Sequence, residues 1–154
     1  KNMKKILTTV LATIQVTCFA QVETPIEYTR KMVTTYDVDQ YIALTKTACG
    51  EEEFNKIIEK SGSLAEFKEM LTKAFARKTR YDKNTFWVTD DFDEAFSKQT
   101  FSENTFGGKT LSPGYKIVIY GDNTTSGYTL YQQQEGKWFL KEYPSMGKGL
   151  FVEE

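Results

Sequence analysis

An α+β fold, with helices leading and a curved antiparallel sheet following, is what this sequence predicts. Three observations carry the expectation. Up to about residue 80, apolar residues recur every third or fourth position with helix-cap signals between them. From Asn84 onward the pattern changes to β-formers and alternation, broken by clusters of turn residues. The chain has 154 residues, 40% hydrophobic and 14% aromatic, enough for one core and little more. Helices that precede a run of antiparallel hairpins pack together on one face of the sheet.

Residues 1–20 read as a secretory signal peptide and residues 21–154 as a single domain. Lys4 and Lys5 form a positive start, Ile6 to Ile14 an apolar stretch, and Cys18-Phe19-Ala20 a small-x-small cleavage site. The apolar stretch is too short and threonine-rich for a membrane span, which needs about 20 apolar residues. Met3 is the expected initiator, with Lys1-Asn2 from an upstream start or a sequence fragment. Cys18 offers the alternative of a lipidated cysteine. Bacterial lipidation prefers a small apolar residue just before the cysteine and Leu three before it, where Thr17 and Gln15 stand. The expected location is therefore exported, periplasmic or extracellular, with membrane contact only if Cys18 is lipidated. Loss of Lys1, Lys4 and Lys5 leaves 17 basic against 21 acidic residues and moves the charge from −1 to −4. Cys49 is then alone and is expected to be a small buried residue at a helix end.

Thr24-Pro25-Ile26-Glu27 is a helix start, with Thr24 capping, Pro25 at the first helical position and Glu27 closing a capping box. Tyr28, Met32 and Tyr36 follow as one apolar stripe. Asp37 caps a second helix whose face is Val38, Tyr41, Ile42 and Thr45, and Gly50 stops it. Glu51-Glu52-Glu53 places negative charge in the first turn of a third helix, with Phe54, Ile57 and Ile58 buried and Gly62 at its end. Ser63-Leu64-Ala65-Glu66 is another capping box, before Leu64, Phe67, Leu71, Ala74 and Phe75 on a face running to about Lys78.

Thr85 to Thr89 and Tyr115 to Tyr120 read as strands, and Ser97 to Ser102 is assigned as a strand between them. Gly121 to Gly127 is a polar turn. Tyr128 to Gln132 and Trp138 to Tyr143 form a hairpin through Glu135-Gly136-Lys137.

This ending, Tyr128-Thr129-Leu130 followed by Glu135-Gly136-Lys137-Trp138, resembles the last hairpins of the nuclear-transport-factor-like α+β cone superfamily. Small secreted bacterial members often end in such a Leu…(Asp/Glu)-Gly-Lys-Trp pair. The resemblance spans most of the domain. It implies a conical pocket between helices and curved sheet and, often, dimerisation through the outer sheet face. It implies no activity, because that fold hosts isomerases, dehydratases and non-catalytic binders alike.

The absence of histidine removes the commonest general base and metal ligand and the usual near-neutral pH switch. A charge of −1 gives no electrostatic basis for nucleic-acid binding. Asp90-Asp91-Phe92-Asp93-Glu94 has the oxygens for Ca²⁺ but not the EF-hand spacing, and a solvated acidic turn between sheet elements is expected. Asp37 and Asp39, with Tyr28, Tyr36 and Tyr41 close in sequence, offer an acid–base pair of the isomerase type. Capping already accounts for Asp37. Gly107-Gly108-Lys109-Thr110 ends like a phosphate-binding loop, but Glu103 stands where the first glycine is required.

The aromatics Tyr128, Tyr131, Trp138, Phe139 and Tyr143 put rings on both faces of the last hairpin, so a pocket or a partner covers the second face, or tyrosines line a wet surface. Candidate pocket or interface residues are Tyr28, Tyr36, Asp39, Tyr41, Trp87, Tyr128, Tyr131, Trp138 and Tyr143, with no cofactor and no metal expected. Three functions stay open. The first is a non-enzymatic exported domain binding a small apolar ligand or a protein partner. The others are an acid–base isomerase or dehydratase using a buried Asp and Tyr, and an envelope protein forming a homodimer through its aromatic sheet face.

Overall fold

The computed structural model describes residues 24–102, 106, 108–141 and 150–152. The expected signal peptide, Cys18 and Tyr143 lie outside them. The described chain is α+β, with five helices and one four-stranded antiparallel sheet.

Helix α1 (Pro25–Val33) has Pro25 in its first turn and buries Tyr28, Thr29, Met32 and Val33. Thr24 makes no side-chain cap bond, so the expected capping box does not close. The helix also stops before Tyr36. Thr34 Oγ1 donates to the Arg30 carbonyl at 2.7 Å and Thr35 Oγ1 to the Lys31 carbonyl, and such back-bonding by β-branched residues competes with continuation. Tyr36 therefore leaves the stripe of Tyr28 and Met32.

Helix α2 (Val38–Cys49) starts on Asp37, whose carboxylate accepts the Gln40 N–H at 2.8 Å, and ends at Gly50, φ 79°. Helix α3 (Glu51–Ser61) carries three glutamates in its first turn, and α4 (Leu64–Phe75) is capped by the Ser63 hydroxyl. Phe54, Phe67 and Leu71 join Val38, Tyr41 and Ile42 in a core between these three helices. Leu64, expected on that face, is 45% exposed, and Ala74 is exposed. Only the narrow line Phe67, Leu71 and Phe75 meets α2 and α3, because α4 is the outer helix and lies off the sheet. It ends three residues short of Lys78.

Strand β1 is Trp87–Thr89. The preceding Thr85 and Phe86 are withheld from the ladder by N–H bonds to the Asp82 carbonyl at 3.2 and 2.8 Å. The acidic run is a helix start. Asp91 Oδ1 accepts the Asp93 and Glu94 N–H groups and opens α5 (Phe92–Phe96), Glu94 accepts from Thr89 Oγ1, and Asp90 pairs with Lys116 at 3.0 Å. The strand expected over Ser97 to Ser102 is instead turns and bends. Its one aromatic residue, Phe101, stacks on Phe96 of α5 at 5.4 Å and on Phe106 at 5.9 Å rather than joining a ladder.

Strands β2 (Tyr115–Gly121), β3 (Ser126–Gln134) and β4 (Lys137–Lys141) complete a meander of order β1-β2-β3-β4. The β3–β4 turn places Glu135 and Gly136 at φ 50° and 76°, the two left-handed positions that a tight hairpin of matching twist requires. The β2–β3 turn is organised by Asp122. Its carboxylate accepts N–H bonds from Asp82, Thr124 and Thr125 at 2.8–3.0 Å, and its carbonyl accepts from Thr100 Oγ1.

Register puts Val118, Thr129 and Tyr131 on one face and Ile117, Ile119, Tyr128 and Leu130 on the other. Helices α1 and α2 cover the first through Tyr28, Met32 and Ala48. The second is covered by the chain itself. Ala95, Phe106 and Leu150, with Phe92, Phe101, Leu111 and Phe151, pack on Ile117, Ile119 and Leu130. Phe106 stands at the centre, stacked on Phe92 at 5.5 Å and edge-on to Tyr128 at 5.1 Å. Rings on both faces thus reflect a sheet sandwiched between a helical layer and an aromatic layer of its own chain.

Candidate functional site

The described residues line a partly open cavity of about 320 Å³ built from the helices and from residues of both sheet faces. Helix α1 contributes Met32 and Val33, α2 Tyr41, Thr45 and Cys49, α3 Ile57, and α4 Phe67 and Leu71. From the sheet come Tyr120, Tyr128, Thr129, Leu130 and Leu140, with Lys141 at the end of β4. Ile117, Leu150 and Lys78 complete the lining. Thr45, Cys49 and Thr129 are its short members, and short side chains where layers face each other leave space that larger ones would fill. The hydroxyls of the two threonines are already engaged, Thr45 with the Tyr41 carbonyl at 2.8 Å and Thr129 with Thr29 Oγ1 at 2.7 Å. The wall is consequently more apolar than its composition.

Lys78 is the exception. Its ammonium donates to the carbonyls of Met32 and Thr35 at 2.7 and 2.5 Å, just past the end of α1. There a cation also meets the negative end of the helix dipole. The rings of Tyr36, Tyr41 and Phe75 surround it at 5.1, 5.0 and 4.6 Å. Burial pushes its pKa down to about 8, while the carbonyls and ring faces favour the charge. Among the described residues no carboxylate pairs with it. Lys141 lies within electrostatic reach of Glu53.

The residues expected to form the site divide. Tyr41 and Tyr128 line the cavity. Tyr28 and Tyr131 are core residues, 2% and 0% exposed. The Tyr131 hydroxyl is bonded to Thr29 Oγ1 at 2.9 Å, and burial raises its pKa, so it acts as a neutral hydrogen-bonding group. Tyr36 sits at the surface under Arg80, its hydroxyl donating to the Thr79 carbonyl. Asp39 is exposed and paired with Lys68 at 3.0 Å. Asp37, the other acid–base candidate, is an exposed cap. Trp87 packs into the aromatic layer, and Trp138 lies on the helix-facing side under Lys116. Among the described residues no Asp or Glu lines the cavity.

Sequence reasoning passed over Lys78 and Thr29. A conspicuous signal was available for neither, since the surroundings of both are assembled from distant segments. Among the described residues no group of three His, Cys, Asp or Glu side chains is placed to hold a metal ion, and no helix is long and apolar enough to cross a membrane. No family model, curated protein or solved structure matches the chain.

Proposed function

We propose that this chain is a non-enzymatic binding domain that holds a small, largely apolar molecule between its helices and its sheet. The observation that carries the reading is the cavity of about 320 Å³ with a largely apolar wall and no carboxylate among its described lining residues. Ligand sites begin at about 300 Å³. At the ~30 Å³ a water molecule occupies in the liquid, the space takes on the order of ten non-hydrogen atoms. At roughly 0.5 kcal/mol per atom, such a ligand binds with a Kd of about 10⁻⁴ M. The isomerase-type reading with a buried Asp lacks support, since no Asp or Glu stands among the described lining residues.

The proposal includes export, supported by the lysines, apolar stretch and small-x-small site of the first twenty residues. It also includes membership of the cone superfamily, supported by the Glu135-Gly136-Lys137-Trp138 hairpin. Titration of the purified protein with an environment-sensitive apolar dye, beside Thr45→Leu, tests the binding reading. Dye fluorescence that saturates with the parent and is lost in a folded Thr45→Leu protein supports it. Equal binding by the two proteins refutes it. Native mass spectrometry of protein from its own cell envelope would then identify a retained molecule, a protein partner or a homodimer.

A further inference from the structure

We propose that the molecule held in the cavity is an apolar monocarboxylate, its carboxylate seated on the Lys78 ammonium. This rests on the cavity being a binding site and adds the chemical class of its ligand. The whole chain has 21 acidic and 20 basic residues, yet the described lining residues include two lysines and no acid. Of the two, Lys141 is within reach of Glu53, whereas Lys78 has no carboxylate partner among the described residues.

Geometry completes the case. An ammonium has three donors, and the carbonyls of Met32 and Thr35 take two of those on Lys78. The third has no acceptor among the described residues, and Lys78 lines a cavity that leucine, isoleucine, methionine and phenylalanine help to wall. A half-buried cation without a counter-charge is destabilised by lost hydration, and an anion delivered by a ligand relieves that cost. One cation matches one negative charge. A phosphate ester would call for further N–H donors converging on the same point, and the described lining residues include no arginine. An amine would meet Lys78 with like charge. Burial holds the Lys78 pKa at about 8, so it is charged at neutral pH and is held in that form by a bound carboxylate.

Calorimetric titration of the full chain at pH 7 with octanoate, octanol and octylamine tests this. The three share one apolar chain and differ in head group. Octanoate is expected to bind about tenfold tighter than octanol, with octylamine weakest. Lys78→Met is expected to retain octanol binding and lose the preference for octanoate, while Lys141→Met keeps that preference. Equal affinity of the parent for octanoate and octanol overturns the carboxylate assignment and leaves the apolar cavity standing. Binding of none of the three, together with failure of the dye, removes the cavity reading itself. A preference that survives Lys78→Met and vanishes in Lys141→Met overturns the choice of lysine. Should Lys78→Met not fold, the head-group comparison in the parent still decides the ligand class.

Discussion

Replacing Phe106 by alanine measures directly whether the aromatic layer is a true core. The ring is 1% exposed and touches the rings of Phe92, Phe101, Tyr128 and Phe151 at centroid distances of 5.5, 5.9, 5.1 and 6.2 Å. Deleting a buried phenylalanine costs about 3–5 kcal/mol, the transfer of its atoms plus the cavity they leave. That is a large part of the ~5–15 kcal/mol by which a domain is stable. At about 3–4 °C per kcal/mol for a domain of this size, the midpoint should fall by roughly 10–20 °C. Equilibrium unfolding in urea, followed by circular dichroism and by tryptophan fluorescence, gives the number. Phe106→Leu should fall between the two, and Val152→Ala, at a residue 51% exposed, should stay within about 0.5 kcal/mol of the parent. A loss below about 1 kcal/mol for Phe106→Ala, with the slope unchanged, would refute the claim that the chain seals its own second sheet face.

Three other outcomes follow from the same geometry. Tyr131→Phe removes the hydroxyl bonded to Thr29 but leaves Thr29 its bond to Thr129, so the loss should be about 1 kcal/mol. A double-mutant cycle with Thr29→Val should give a coupling of similar size, and additivity would count against the bond. The Asp82 N–H foremost, with those of Thr124 and Thr125, holds the Asp122 carboxyl down at about 2 from 3.8. The folded value is depressed, so its stabilisation is complete above about pH 4 and lost as pH falls through 2. Melting curves of parent and Asp122→Asn should accordingly converge between pH 4 and 2, and a constant gap would be contrary. Gly121→Ala would put a Cβ 2.6 Å from the Thr125 carbonyl oxygen and 3.0 Å from Trp87 Cζ2. It should cost about 1–3 kcal/mol by the same unfolding assay.

Local chemistry was legible in the sequence where a single segment decides the outcome. Asp37 and Ser63 cap helices because each needs only an N–H two or three residues ahead. The Glu135-Gly136 turn is equally local. Tyr36 was misplaced because the hydroxyls of Thr34 and Thr35, not the apolar period, decide where α1 ends. The Ser97–Ser102 segment escaped because its one phenylalanine, Phe101, packs on Phe106, which is itself held by Tyr128 and Phe151 from far along the chain. Of the site, the rings Tyr41 and Tyr128 were legible and the cation was not. A lysine shortly after a helix carries no distinguishing pattern, and residues 32, 35, 36, 41 and 75 together make Lys78 unusual.

The Thr29 hydroxyl has its partners 100 and 102 residues further along, at Thr129 and Tyr131. Helix α1 thus lacks these hydroxyl partners until β3 has been made. At ~5–20 residues per second, that interval lasts roughly 5–20 s for each chain. During it Tyr28 and Met32 can pack on neighbouring helices and, once these are made, on Val88 of β1 and Val118 of β2. Any factor that must engage this protein before it folds has that interval in which to act.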